Sequence, residues 1–162
     1  MTPVISSGKG RILTLLKFLD DLKCQGAVTN MARTIRAFVN RGQRRGLAII
    51  VSDLYDPEGF QPGLDILRHH RYEPHLVQIY DRKEAEPNLL GDLELFDVES
   101  GRVQKMTVTE RNLRQYRQVF GRFQESVQNY CNTYGLGCTR TLSDVPFDEL
   151  VLRMMRTAGA VQ

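Results

Sequence analysis

The sequence predicts an α/β fold built on a parallel sheet, and three observations lead to this prediction. The uninterrupted apolar run from Leu47 to Val51 is typical of a strand buried on both faces. A helix of about residues 62–71 and a second apolar strand, His75 to Tyr80, follow it. Strand, helix and strand in this order favour two parallel strands joined by a right-handed crossover. The 162 residues are enough for a single domain, residues 1–162, with its own core.

Two helices are predicted before the first strand. Apolar residues at three-and-four spacing indicate a helix of about residues 9–24. A second helix opens at Thr29-Asn30, and we expect Thr29 at its N-cap because a hydroxyl there can accept from an unpaired backbone N–H. Arg41 to Gly46 then supplies cations at the helix end and the turn into the strand.

The second half of the chain predicts a hairpin, a long helix, a strand and a final helix. Leu93 to Val98 and Val103 to Val108 flank a turn at residues 99–102, which predicts a β-hairpin inserted beside the main sheet. Thr109-Glu110 opens the longest helix, whose regular apolar and aromatic stripe indicates a core-facing side. Gly135 ends it, and a strand (137–142) and a last helix (147–157) follow.

Composition excludes several classes of protein. A net charge of +3, with no aromatic residues among the arginines near position 44, does not indicate a nucleic-acid partner. There is no apolar run long enough to span a membrane, and the first ten residues do not resemble a signal peptide, so we expect a cytoplasmic protein. The odd set Cys24, Cys131 and Cys138 predicts reduced and mostly buried thiols.

Polar residues at the strand ends are the candidates for chemistry. Ser52 and Asp53 end the first strand, and ligands of open α/β sheets bind at this carboxyl edge. Asp53, Asp56, Asp81 and Asp144 can also be explained as turn or cap residues. A Thr before a helix and an Asp after a strand are hard oxygen ligands that suit Mg²⁺ when further ligands are present.

Several short motifs, in this order and spacing, resemble one family along almost the whole chain. They are Gly26 to Asn30, Arg44 to Leu54, Gly91 to Gly101, Tyr116-Arg117 and Leu142 to Phe147. The chain resembles the second half of a von Willebrand factor A-type domain. More narrowly, it is similar to domain-of-unknown-function family 58, whose members accompany MoxR-type AAA+ ATPases.

The resemblance implies a metal-ion-dependent adhesion site in which Thr29 and Asp53, with Ser52 adjacent, contribute to binding Mg²⁺ or Mn²⁺. The family's Asp-x-Ser-x-Ser motif is absent, Leu54 follows Asp53 where many such sites have Gly, and the first central strand is missing. The expected fold is therefore a partial doubly wound sheet, Rossmann-like and of von Willebrand A type, and its cation site is incomplete unless missing residues complete it.

The resemblance also implies the function that we expect. This is a non-enzymatic interaction module that works with a MoxR-type AAA+ ATPase on client proteins, in their assembly or maturation. Without the first strand, strand 47–52 has an unpaired apolar edge, so we expect either a truncated chain or a half-domain completed by another chain, including self-association through this strand. The alternatives are a metal-dependent α/β hydrolase that uses Asp53, and a scaffold that has lost its metal site.

Overall fold

The computed structural model describes residues 30–42, 45–96 and 101–159, together with Lys17, Asp20 and Asp21. Three parallel strands form the main sheet in the order β1-β2-β5, and two antiparallel strands, β3 and β4, form a separate hairpin. The strands are β1 (Leu47–Ser52), β2 (Glu73–Tyr80), β3 (Gly91–Phe96), β4 (Val103–Val108) and β5 (Gly137–Leu142). The helices are α1 (Met31–Val39), α2 (Gln61–His69), α3 (Arg82–Ala85), α4 (Glu110–Tyr134) and α5 (Phe147–Gly159). The mixed α/β class and the inserted hairpin are thereby confirmed.

One layer of helices, α1, α2 and α4, covers one face of the main sheet. Ala48 and Ile50 of β1 and Leu76 of β2 point into this layer, because side chains two apart on a strand share a face. The helices contribute the larger part of the core: Met31, Ile35, Val39, Leu64, Leu67, Val127 and Cys131. On the other face Val77, Thr139 and Thr141 are buried, and α5 packs against β5.

The prediction that β1 is buried on both faces is wrong. Leu47, Ile49 and Val51 are 64%, 53% and 60% exposed, and exposure alternates along the strand. The reason is position. Within the described residues, β1 is at the end of the strand order, pairs only with β2, and is contacted by the helical layer on one face. An uninterrupted apolar run does not distinguish a central strand from an edge strand that lacks a neighbour.

Side-chain caps mark where α1 and α4 begin. The N-cap of α1 is Asn30, whose Oδ1 accepts from the Arg33 N–H at 2.7 Å, so the predicted cap at Thr29 is displaced by one residue. Thr29 itself lies outside the described residues. Thr109 caps α4 in a reciprocal capping box with Asn112, and Gly135, at φ 64°, ends α4 in a left-handed conformation that glycine adopts readily. The helix predicted at residues 9–24 is described only at Lys17, Asp20 and Asp21, where the Asp21 N–H donates to the Lys17 carbonyl at 2.9 Å.

The aromatic stripe of α4 is only partly core. Leu113 and Val127 are buried and Phe123 and Tyr130 are partly buried against the core, whereas Tyr116 and Tyr134 are exposed. The Arg68 guanidinium lies over the Tyr134 ring, with its Cζ atom 3.4 Å from the ring centroid. The stripe therefore combines core positions with exposed positions that make surface contacts.

A buried histidine connects β2 and β5 on the sheet face opposite the helical layer. His75 Nε2 is 2.9 Å from Thr139 Oγ1, and burial lowers the pKa of His75 below its ordinary value. The imidazole ring lies directly over Gly137, where a Cβ atom would overlap its Nδ1. The first residue of β5 must therefore be glycine for His75 to occupy this position.

Two described cysteines are free thiols, as the sequence predicts. Cys131 of α4 is buried, and Cys138 of β5 is half-buried. The hydrogen bond between the two thiols is the main cause that raises the pKa of Cys131 and lowers the pKa of Cys138 to about 7. Cys24 lies outside the described residues.

Candidate functional site at the carboxyl edge of the sheet

The carboxyl ends of the parallel strands meet at one edge, as the sequence predicts. A shallow cleft of about 400 Å³ lies there. Its polar lining comes from the ends of all three strands and from α3: Ser52, Asp53, Tyr80, Asp81, Glu84 and Ser143. The candidates Ser52 and Asp53 are therefore at the expected place in the fold.

Both candidates also stabilise the turn that leaves β1. Ser52 Oγ accepts from the Leu54 N–H at 3.0 Å, and Asp53 Oδ1 accepts from the Tyr55 N–H at 3.0 Å. Leu54 between them has φ 69°, which is uncommon for a residue other than glycine, and its side chain is buried in the core. Burial of Leu54 and the two side-chain bonds hold this backbone conformation, and one oxygen of Asp53 is engaged in the turn.

Asp56 connects this turn to the start of α1. One carboxylate oxygen, Oδ2, accepts from the Met31 N–H at 2.5 Å, and the other accepts from the Glu58 N–H at 2.8 Å. A carboxylate at a helix N-terminus is favoured by the helix dipole. The bond therefore holds the N-terminus of α1, the helix that follows Thr29 in the chain, beside the loop that follows Asp53.

Asp81 and Asp144, two further carboxylates of this edge, already have partners. Asp81 caps α3 through the Lys83 N–H at 2.7 Å, and its second oxygen lies 3.5 Å from Ser143 Oγ. Asp144 pairs with Arg82 at 3.2 Å. Each of these side chains has the structural role at a strand end that the sequence suggested.

The described side chains of this edge do not fit a complete cation site. Within residues 30–42, 45–96 and 101–159, no group of three His, Cys, Asp or Glu side chains is placed to hold a metal ion. Ser52 and Asp53 are adjacent, whereas Thr29, the third predicted ligand, lies outside the described residues. Metal binding by these three residues stays a prediction. Among the described residues, no histidine lines the cleft. A hydrolase that uses Asp53 would therefore need a general base other than a described imidazole.

Glu84 is a residue of this edge that the sequence did not single out. Its Oε2 is buried and has no hydrogen-bond partner among the described residues. Burial, with contributions from Tyr116, Glu84 and Asp53, raises the pKa of Tyr55 to about 12. The pKa of Tyr116 is also raised, mainly by burial and to a smaller extent by the negative charge of Glu84. Both phenols are therefore protonated at neutral pH, close to a carboxylate with an unsatisfied oxygen.

Comparison with known proteins gives a family assignment. Residues 2–127 match the family model described as protein of unknown function DUF58. The chain belongs to this family. The match covers the main sheet up to β2, the hairpin and most of α4, so the predicted membership of domain-of-unknown-function family 58 is confirmed.

One curated relative matches about half of this chain, and it is described as uncharacterised. An uncharacterised protein of Mycobacterium avium, MAV169, is 30% identical over 83 residues, which are 51% of this chain and 48% of the relative. The chain thus spans about half the length of the curated relative that it matches. No solved structure matches. In the described part of this DUF58 chain, none of the helices is both long and apolar enough to cross a membrane.

Proposed function

We propose that this DUF58 protein is a non-enzymatic interaction module that works in the cytoplasm with a MoxR-type AAA+ ATPase in the assembly or maturation of client proteins. One observation carries the proposal: among the described strands, β1 is at the edge of the sheet and has an exposed apolar face. The link to the ATPase rests on the family resemblance described above. The proposal has two parts, a binding surface on β1 and the kind of partner that it binds.

The backbone of β1 makes this edge a template for another strand. The Gly46 carbonyl accepts from the Glu73 N–H at 3.0 Å, and N–H and C=O groups of successive residues point to opposite sides of a strand. Ala48 and Ile50 therefore bond to β2, whereas the backbone groups of Leu47, Ile49 and Val51 point away from it. Within the described residues no strand pairs with β1 on that side.

The residues of β1 do not protect this edge. Natural edge strands are commonly blocked by a charged side chain, a proline or a bulge. The sequence of β1, Leu-Ala-Ile-Ile-Val-Ser, contains neither charge nor proline, and its pairing with β2 is regular over all six residues. An unprotected apolar edge of this kind favours addition of a strand from a partner.

The finer fold assignment belongs to the same proposal. In a complete von Willebrand A-type sheet the first central strand pairs beside the strand that corresponds to β1. We propose that the present sheet is the partial form, and that a strand from the ATPase, or from a second copy of the chain, takes this place. A second copy would pair symmetrically and close a dimer.

Substitution at the edge tests the binding surface. Ile49→Lys places a charge on the exposed face of β1, whereas Val119→Lys places the same charge at a site on α4 that is 64% exposed. Calorimetry with a purified MoxR-type ATPase from the same organism should show binding weakened at least about tenfold by the first change and by less than about twofold by the second. Light scattering should show any self-association reduced in parallel. No binding by the unsubstituted protein, or equal binding by both variants, would contradict the proposal.

Binding of a divalent cation is a separate part of the proposal. We propose that Ser52 and Asp53 form a vestigial site that binds Mg²⁺ or Mn²⁺ only when residues outside the described ranges, Thr29 among them, supply further ligands. Calorimetric titration of Mn²⁺ should therefore show either no binding, or binding that both Asp53→Ala and Thr29→Ala abolish. Binding of Mn²⁺ that survives Asp53→Ala unchanged would remove Asp53 from the site.

A further inference from the structure

A second surface lies between the β-hairpin and the start of α4. We call it the hairpin groove. It has a volume of about 520 Å³. Apolar side chains form most of its wall: Leu89, Leu93, Leu95, Met106, Leu113 and Tyr116.

The two strands of the hairpin present one apolar face to this groove. Leu93 pairs with Met106 in the antiparallel register, so these side chains are on the same face. Asp92 and Glu94 occupy the opposite face, where they contact Thr107 and Lys105. The alternation shows that the sequence places apolar residues towards the groove, although much of this wall, including Leu89, Leu95 and Tyr116, is solvent-exposed.

One end of the groove is acidic and is continuous with the cleft at the edge of the main sheet. Asp81 and Glu84 line both, and Asp53 lines the cleft beyond them. Lys83 also lines the groove, whereas Arg82 is paired with Asp144. Asp53, Asp81 and Glu84 carry three negative charges, against the Lys83 ammonium group and the Arg117 guanidinium, which donates to the carbonyl of Pro87 in the groove wall. A net negative charge therefore remains beside the apolar groove.

The carboxylate of Glu84, at this acidic end, is incompletely hydrogen-bonded. Its Oε2 is buried and has no partner among the described residues, and leaving a buried carboxylate oxygen without a hydrogen bond is unfavourable. Oε2 is closed to solvent, so a ligand in the groove does not reach that atom. Glu84 as a whole is only partly buried and lines the groove, so a cationic N–H group there would pair with its carboxylate and offset the charge. A neutral group would do so less well, and an anion would be repelled.

We propose that the hairpin groove binds a peptide segment of a partner protein in which an apolar side chain is followed by lysine or arginine. The apolar side chain packs against Leu93 and Met106, and the cationic group pairs with the Glu84 carboxylate from the groove side, not with its buried Oε2. This surface is separate from the β1 edge, and its occupant is defined by charge as well as by shape. The proposal therefore stands or fails independently of the ATPase partner.

Three blocked dipeptides test this assignment. They are acetyl-phenylalanyl-lysine amide, acetyl-phenylalanyl-glutamine amide and acetyl-phenylalanyl-glutamate amide, each titrated into the isotope-labelled protein and observed by NMR. The lysine peptide should shift the signals of Leu93, Met106 and Glu84, and should bind about fivefold more tightly than the glutamine peptide. The glutamate peptide should bind most weakly. Equal binding of all three, or shifts located elsewhere, would overturn the proposal.

A pair of glutamate variants separates the role of Glu84 from general charge. Glu84→Gln should make the lysine and glutamine peptides bind equally, whereas Glu86→Gln, an exposed change two residues away, should leave the fivefold preference in place. The comparison of peptides on the unsubstituted protein does not depend on either variant being stable. A lysine preference that survives Glu84→Gln would show that Glu84 does not bind the cation.

Discussion

Leu64→Ala is expected to lower the free energy of unfolding by about 2–5 kcal/mol, the range measured for truncation of a fully buried leucine. Leu64 of α2 has no exposed surface and lies in the core between α1 and the main sheet. The substitution removes packed apolar area and leaves a cavity that the surrounding helices can only partly fill. Urea unfolding followed by circular dichroism would measure the change.

Leu152→Ala is the matched control for this experiment. Leu152 is also in a helix, α5, but is 55% exposed. The same chemical change there should alter the free energy of unfolding by no more than about 0.5 kcal/mol, as is usual for surface positions. Similar losses from both substitutions would contradict the placement of the core between α1, α2, α4 and one face of the sheet.

Gly137→Ala is expected to destabilise the protein by about 1–3 kcal/mol, the usual cost of forcing extra volume into a packed site. An added Cβ at this first residue of β5 would overlap the His75 ring. The ring cannot move away freely, because Nε2 is bonded to Thr139 and the side chain is buried. We expect the lost stability to appear in thermal and urea unfolding alike.

Gly121→Ala provides the opposite expectation for the same substitution. Gly121 is in the interior of α4, and a Cβ atom there would meet nothing within 4 Å. Alanine has a helix propensity about 1 kcal/mol more favourable than glycine, so this variant should be more stable than the unsubstituted protein. If both glycine substitutions shifted stability in the same direction, the contact between Gly137 and His75 would not be the cause.

The elements of this fold could be predicted where a local pattern determines them. The strand, helix and strand from Leu47 to Tyr80 and the hairpin after Gly91 were found from apolar periodicity and turn residues. The start and end of α4 were found because Thr109 and Gly135 have strong intrinsic preferences for a cap and for a left-handed turn. These signals lie within a few residues of the structure that they determine.

The properties that the sequence did not predict depend on neighbours distant in the chain. Whether β1 is central or at an edge is decided by which strands pair with it, and its own residues read the same in either case. The choice between Thr29 and Asn30 as a cap is a difference of one position between two good capping residues.

The same distinction applies to the residues of the candidate site. Ser52 and Asp53 could be placed at the carboxyl edge because they follow a strand directly. Glu84 could not, since no motif or strand end marks it in the sequence, and its importance comes from the burial of one oxygen and from its place in the wall of the hairpin groove. Burial of a single side-chain atom can be seen only when the fold is known.

Hydrogen exchange of β1 would test the interaction surface most directly. The amides of Leu47, Ile49 and Val51 point away from β2, whereas those of Ala48 and Ile50 already donate to it. When a MoxR-type ATPase is bound, we expect exchange at Leu47, Ile49 and Val51 to slow by at least about tenfold, with little change at Ala48 and Ile50. A stable complex in which these three amides exchange as fast as in the free protein would show that β1 is not the interaction surface.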